Sequence, residues 1–317
     1  MSLLIGTDEA GYGPNLGPLV ITATSWELPD GMIPSDMWAT LKQAITDVPS
    51  RGDDRLHVAD SKKVYTAGKP ITSLERSVHA FLRHLQYPTE DVGRLGTTLG
   101  GPRFASDYRA VCQDTVTELQ LPASADKSHC ESAAQRVQAA LTRTGVRLLG
   151  IGSRIIFTPE FNRGVEATGS KGRILSSATL QLVREAVCRA GVPAAGWVVC
   201  DKHGGRNRYD DVISEAFEDE FVFRLEESGP RSRYRVGELE FCFRTQAEEV
   251  MPVALASMVS KYLREVIMMQ FNRFWQQQLP DLKATKGYPV DARRFWNDIQ
   301  GRADELGIAR SEIWRCR

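Results

Sequence analysis

Six cysteines, Cys112, Cys130, Cys188, Cys200, Cys242 and Cys316, are all that the 317 residues contain, and none forms a CxxC or other paired spacing. That pattern speaks against a zinc site or a disulfide framework, and a reducing cytoplasm is the expected setting. An excess of charge is also missing. Forty basic and forty acidic side chains cancel, so any surface that holds phosphate must be a local patch rather than a general field. No apolar run reaches the length of a bilayer span, and no basic segment with a cleavable apolar core opens the chain. Neither membrane insertion nor export is expected. With no repeat and no low-complexity tract, the chain has room for one full core and a substantial insertion.

What is there begins with Thr7-Asp8-Glu9-Ala10-Gly11-Tyr12-Gly13-Pro14-Asn15-Leu16-Gly17-Pro18. Short apolar, partly β-branched runs flank it, Leu3 to Gly6 and Leu19 to Ala23, and each reads as a strand. The acidic pair therefore ends one strand. Gly11, Gly13 and Gly17 permit unusual backbone angles, and Pro14 and Pro18 block a helix, so the link is a bent loop. A dinucleotide-binding fingerprint needs other spacing and must open a helix, which excludes it. A solvated turn would carry the same residues.

Further along, Ser35 to Ile45 has a helical pattern, and Ser73 to His84 reads as a helix capped by Ser73. Between them lies Asp60-Ser61-Lys62-Lys63, a lysine pair that serves either as a solvated surface or as a phosphate contact. Gly93 to Gly101 reads as a loop, followed by helical patterns over Ser106 to Leu119 and Asp126 to Thr142. Arg147 to Ile151 and Ile155 to Phe157 form a strand region, and Leu175 to Ala190 a core helix. Gly164 to Lys171 only superficially suggests a phosphate loop, because its lysine is in the wrong order. Trp197 to Cys200 is a buried strand ending in Asp201, which sits where α/β folds gather ligands or else caps a helix that begins near Asn207. His203 follows, and a lone loop histidine is usually neither base nor ligand. Strands are expected over Phe221 to Leu225 and Tyr234 to Phe243, then a helix from about Pro252 whose outer side offers Ser257, Lys261 and Arg264. Lys283 to Pro289 is a turn that holds an aromatic beside lysines, and Ala292 to Ala303 is the last expected helix, with Arg293 and Arg294 outward.

Taken in order, five of these elements resemble the ribonuclease HII family, the type 2 ribonucleases H. The first resembles that family's Asp-Glu-Ala-Gly-Arg-Gly run, with Tyr12 in place of the arginine. Asp60-Ser61-Lys62 resembles its Asp-Ser-Lys element, and Asp201 matches its third carboxylate. The Ser257 and Lys261 helix resembles its Ala-Ala-Ser-Ile-x-Ala-Lys helix, preceded here by Glu248 and Glu249 where the family has an aspartate; alignment on Pro252 selects Glu248. Lys286-Gly287-Tyr288-Pro289 resembles its Lys-Gly-Tyr-Pro element.

The resemblance implies a ribonuclease H-like α/β fold with a mixed central sheet flanked by helices. It implies a single catalytic domain over 1–317, with a helical insertion at 87–144 and a C-terminal helical segment at 270–317. It further implies a two-metal endonuclease in which Asp8, Glu9, Asp201 and Glu248 hold Mg²⁺ or Mn²⁺ ions about 4 Å apart. Lys62, Ser257 and Lys261 would position phosphates, while the Gly11, Tyr12 and Gly13 loop with Tyr288 would test for a 2′-hydroxyl. The implied substrate is RNA in an RNA-DNA hybrid or ribonucleotides embedded in DNA, acted on by a monomer. Two alternatives stay open: a metal nuclease of altered specificity, suggested by Tyr12 and Glu248, and a non-catalytic nucleic-acid-binding protein.

Overall fold

The computed structural model describes residues 1–66, 68–112, 117–191 and 195–316. The two apolar runs around the first loop become β1 (Ser2–Ala10) and β2 (Leu19–Leu28), paired antiparallel with Asp8 opposite Thr22. A small parallel pair, β3 (Ile45–Thr46) and β4 (Leu56–His57), stands apart. The remaining strands are β5 (Arg147–Ile156), β6 (Gly196–Asp201), β7 (Val222–Glu227), β8 (Arg231–Val236) and β9 (Leu239–Arg244). The main sheet has the order β5-β2-β1-β6-β9-β8-β7, with β1, β6 and β9 parallel and the other pairings antiparallel. This is the mixed central sheet that the sequence leads one to expect.

Helices cover it: α1 (Met37–Leu41), α2 (Ser61–Val64), α3 (Thr72–His84), α4 (Val92–Gly100), α5 (Arg103–Cys112) and α6 (Lys127–Thr144) precede β5. After it come α7 (Thr158–Thr168), α8 (Lys171–Ala190), α9 (Asp210–Ala216), α10 (Met251–Gln278), α11 (Pro289–Glu305) and α12 (Arg310–Ile313). On one face, α8 and α9 bury Leu175, Tyr209 and Ile213 against Leu3, Ile5, Tyr234 and Phe241. On the other face, α10 packs across β1 and β2. It is buried on nearly every side because the sheet, α3 and the C-terminal helices all close on it, so its pattern is apolar almost throughout. Gly6 makes this approach possible: a Cβ there would lie 2.5 Å from the backbone of Pro252.

Several expectations change. Gly93 to Gly101 is the helix α4, not a loop; Asp91 caps it by accepting from the Arg94 amide at 2.8 Å, and a Cβ on Gly96 would meet the Phe104 ring at 2.1 Å. Its glycines serve close packing rather than turning. The Tyr234 to Phe243 strand is two strands, broken where Gly237 takes φ +54°. Only Met37–Leu41 of the Ser35 to Ile45 pattern is α-helical, because Ile45 turns into β3. Ile71, not Ser73, is the N-cap of α3, and no side chain caps it. The helix expected over Ser106 to Leu119 appears as α5; positions 113–116 lie outside the described residues, and 117–119 are not helical.

Candidate active site

The parallel strands β1 and β6 end side by side. Thr7 pairs with Cys200, so the next residues on each strand, Asp8 and Asp201, are neighbours on one face of the sheet. A 3₁₀ turn at Ala247–Glu249 then leads into α10, whose start lies against β1, and brings Glu248 to the same place. Glu9 follows Asp8 at the strand end, and its amide donates to the Asp8 carboxylate at 2.7 Å.

Electrostatics show how tightly the four acids gather. Burial, then the Glu9 charge, push the Asp8 carboxyl well above the usual carboxylate range, with Asp201 adding to the push and a Ser257 hydrogen bond opposing it. Burial, then the Asp201 charge, raise Glu9 to about 7, with Glu248 contributing and Lys62 opposing. Burial and Glu248 raise Asp201 to about 6 against the amides of Lys202 and Ala247. Glu249 turns away and pairs with Arg244. Four carboxylates scattered through the sequence thus repel one another in one place.

Lys62 is the cation that faces them. The Asp60 charge raises its pKa first, with Glu248, Asp8 and Asp201 adding to the effect. Asp60 caps α2 by accepting from the Lys62 amide at 3.0 Å. Ser257 lies 3.2 Å from the Ser61 hydroxyl and also hydrogen-bonds Asp8, so it fixes the distance between the lysine element and the acids. Its hydroxyl is buried behind the site rather than presented to solvent.

The Gly11 to Pro18 loop docks on the Lys286 to Tyr288 turn. The Asn15 and Leu16 amides donate to the Gly287 carbonyl at 2.8 and 3.2 Å, and Gly287 takes φ +82° where a Cβ would strike the Leu16 carbonyl. Arg264 locks the junction by donating to the carbonyls of Pro18 (2.6 Å), Leu16 (3.0 Å) and Lys286 (3.1 Å). It is therefore buried, not offered outward; ridge spacing on a helix does not reveal that a loop will cover it. Arg315, equally buried, donates to the Gly11 and Pro14 carbonyls from the far end of the chain. Nothing in the local sequence around Cys316 signals this role.

Tyr288 stands exposed at the start of α11. Lys261 is held by Glu265 at 2.8 Å, and Lys286 shares that carboxylate, both ammonium groups lying over the Tyr65 ring at 5.4 and 5.8 Å. Tyr12 lies near the Gly204 turn with Lys171 over its ring at 4.6 Å, and burial, then the Glu9 charge, raise its hydroxyl pKa. His203 is buried and bonded to Ser176 at 3.0 Å; burial pushes it down to about 3, which keeps it neutral.

No family model matches the chain, and no curated protein matches it. Among solved structures it is similar to an Archaeoglobus fulgidus RNase HII, in a complex with PCNA, at 14% identity and TM-score 0.42, covering 99% of this chain and 94% of that one. A ribonuclease H2 from Pyrococcus horikoshii OT3 is similar at 13% identity and TM-score 0.44, with 98% and 92% covered. Bst-RNase HIII in complex with Mn²⁺ is similar at 15% identity and TM-score 0.42, with 99% and 66% covered. At such values chemistry has to be read from the side chains.

The donors suit a hard divalent cation: every group in the quartet is a carboxylate, and repulsion among them is what a cation would relieve. Among the described residues, no three His, Cys, Asp or Glu side chains already stand as a cation cage.

Proposed function

We propose that the chain is a metal-dependent endonuclease of the ribonuclease H type, cutting the RNA strand of RNA-DNA hybrids or ribonucleotides embedded in DNA. The observation that carries this reading is the quartet of mutually repelling acids at the ends of β1 and β6, faced by Lys62. Asp8, Glu9, Asp201 and Glu248 would hold Mg²⁺ or Mn²⁺, which when bound activates water and stabilises the leaving 3′ oxygen. In the hydrolysis, a water oxygen bonds to phosphorus, the phosphorus bond to the 3′ oxygen breaks, and the departing oxygen takes a proton.

The chain's own residues would orient the strand. Lys62 would neutralise the phosphate next to the cut, Lys261 and Lys286 a neighbouring one, and Ser257 would hold Asp8 in place from behind. The Gly11 to Gly13 backbone and the exposed Tyr288, joined through Gly287, would test the sugar. The whole of 1–317 would act as one catalytic domain and as a monomer, carrying the 87–144 insertion and the 270–317 helical segment.

A second reading, altered specificity, is favoured by Tyr12, which brings a phenol and Lys171 to the rim where the resembled family has an arginine. Cleavage assays on a hybrid, a duplex with one ribonucleotide and an all-DNA duplex, each with Mg²⁺ and Mn²⁺, test both. The first reading predicts cuts only where ribose is present. Equal cutting of all-DNA would select the second, and binding without cleavage under either metal would refute both.

A further inference from the structure

The three outermost strands extend the sheet beyond the acids, and their two faces differ. On one face Ser232, Tyr234, Val236, Leu239, Phe241 and Phe243 are buried against α9 and its neighbours. The opposite face carries Arg231, Arg233 and Arg235 on β8 and Glu240 and Arg244 on β9; Arg231 and Arg235 are exposed and the other three half-buried. Asp201 pairs with Arg244, and Arg244 with Arg231. The row that starts at Asp8 and Asp201 therefore continues outward, on the same face, as two arginines.

From these observations we infer that the open face of β9, β8 and β7 is a docking surface for the phosphate backbone of a nucleic-acid duplex, continuing the track from the acids. The inference rests on the proposed nuclease function, since it deepens the substrate of that same site. Along β8 the arginines recur at every second residue, about 6.8 Å, which matches about two nucleotide steps of 3.4 Å. From β6 to β7 is three strand spacings, about 14 Å, or roughly four nucleotide steps.

Glu226, Glu240 and Glu249 pair with Arg231, Arg233 and Arg244 at the surface. Such exposed pairs are weak, so they hold the guanidinium groups in place without competing strongly against a phosphate that offers two oxygens. Arg235 has no ion pair among the described residues. Beside it stand Phe223, its cross-strand partner, and Phe221, exposed 58% and 84%. Aromatic rings interleaved with arginines suit contact with sugars and bases rather than with water.

The test is duplex binding by the full chain in EDTA, read as affinity across a salt series, for the wild type, the double variant Arg231→Ser with Arg235→Ser, and Phe223→Ser. The surface predicts that the double variant loses about tenfold in affinity for an all-DNA duplex, and that its salt slope falls by about 1.8, the loss of two phosphate contacts. Its melting temperature stays that of the wild type. Unchanged affinity and slope would overturn the inference. So would a wild type that sediments as a dimer and becomes a monomer on Phe223→Ser with duplex affinity intact, because the face would then be a protein interface. A wild type that binds with the predicted slope but never cuts would sink the nuclease function and leave the surface standing, whereas cutting with an unaltered slope in the double variant would do the reverse.

Discussion

Glu9 shows what a buried acid cluster costs when nothing neutralises it. Its folded pKa of about 7 lies above the ordinary value of 4.5, so its contribution to stability is fully present below about 4.5 and is lost as pH rises through about 7. Above that, the folded protein holds a charge it would rather release. Replacing Glu9 by glutamine should therefore stabilise the metal-free protein at pH 8 by about 3 kcal/mol, with the gain vanishing by pH 4; a shift of one pKa unit is worth about 1.4 kcal/mol. Thermal melts in EDTA at the two pH values check this, and an equal effect at both would contradict it. Asp8 and Asp201 were legible in the sequence because each ends an apolar strand, whereas the choice of Glu248 over Glu249 rested on alignment with one proline. The structure separates those two by an observation no sequence carries: Arg244, four residues before Glu248, takes Glu249 out of the cluster.

At the scale of elements, the first loop is held by side chains from distant parts of the chain. Arg264 satisfies three carbonyls that would otherwise be buried without donors, and burial lowers its own pKa to about 10. Arg264→Leu should cost about 3 kcal/mol, the price of orphaned buried acceptors less the relief of repulsion with Arg315. Urea unfolding measures it, and a loss below about 1 kcal/mol would mean that the loop does not depend on this clasp. The loop's bend was readable from Gly11, Gly17 and the two prolines. Its clasp was not, because Arg264 looks like one more polar residue on a helix face until the first loop and the Gly287 turn close over it. The same limit explains α4: Gly96 reads as a breaker because the partner that needs its bareness, Phe104, lies in the next helix, and the neighbours of Gly93 and Gly100, Glu118 and Ile155, lie further along the chain.

For the whole molecule, the order of the sheet decides what the sequence could and could not give away. Strand positions from local pattern were sound for β1, β2 and β6, whose apolar runs are buried on both faces. The split of Tyr234 to Phe243 into two strands shows in the sequence only as a slip of phase, the apolar positions moving from 234 and 236 to 239, 241 and 243 across Gly237, and that split creates the open basic face beside the acids. A neutral chain can thus concentrate cations locally, as the composition requires of any protein that binds phosphate. Titration of Mn²⁺ into the wild type and Asp201→Asn at pH 7.5 by calorimetry, in two buffers of different ionisation enthalpy, tests the convergence of the four acids most directly. The wild type should bind Mn²⁺ with release of protons from Asp8 and Glu9, and Asp201→Asn should bind at least about tenfold more weakly. Equal affinity in the two proteins, or no binding by the wild type, would show that these carboxylates do not share a cation.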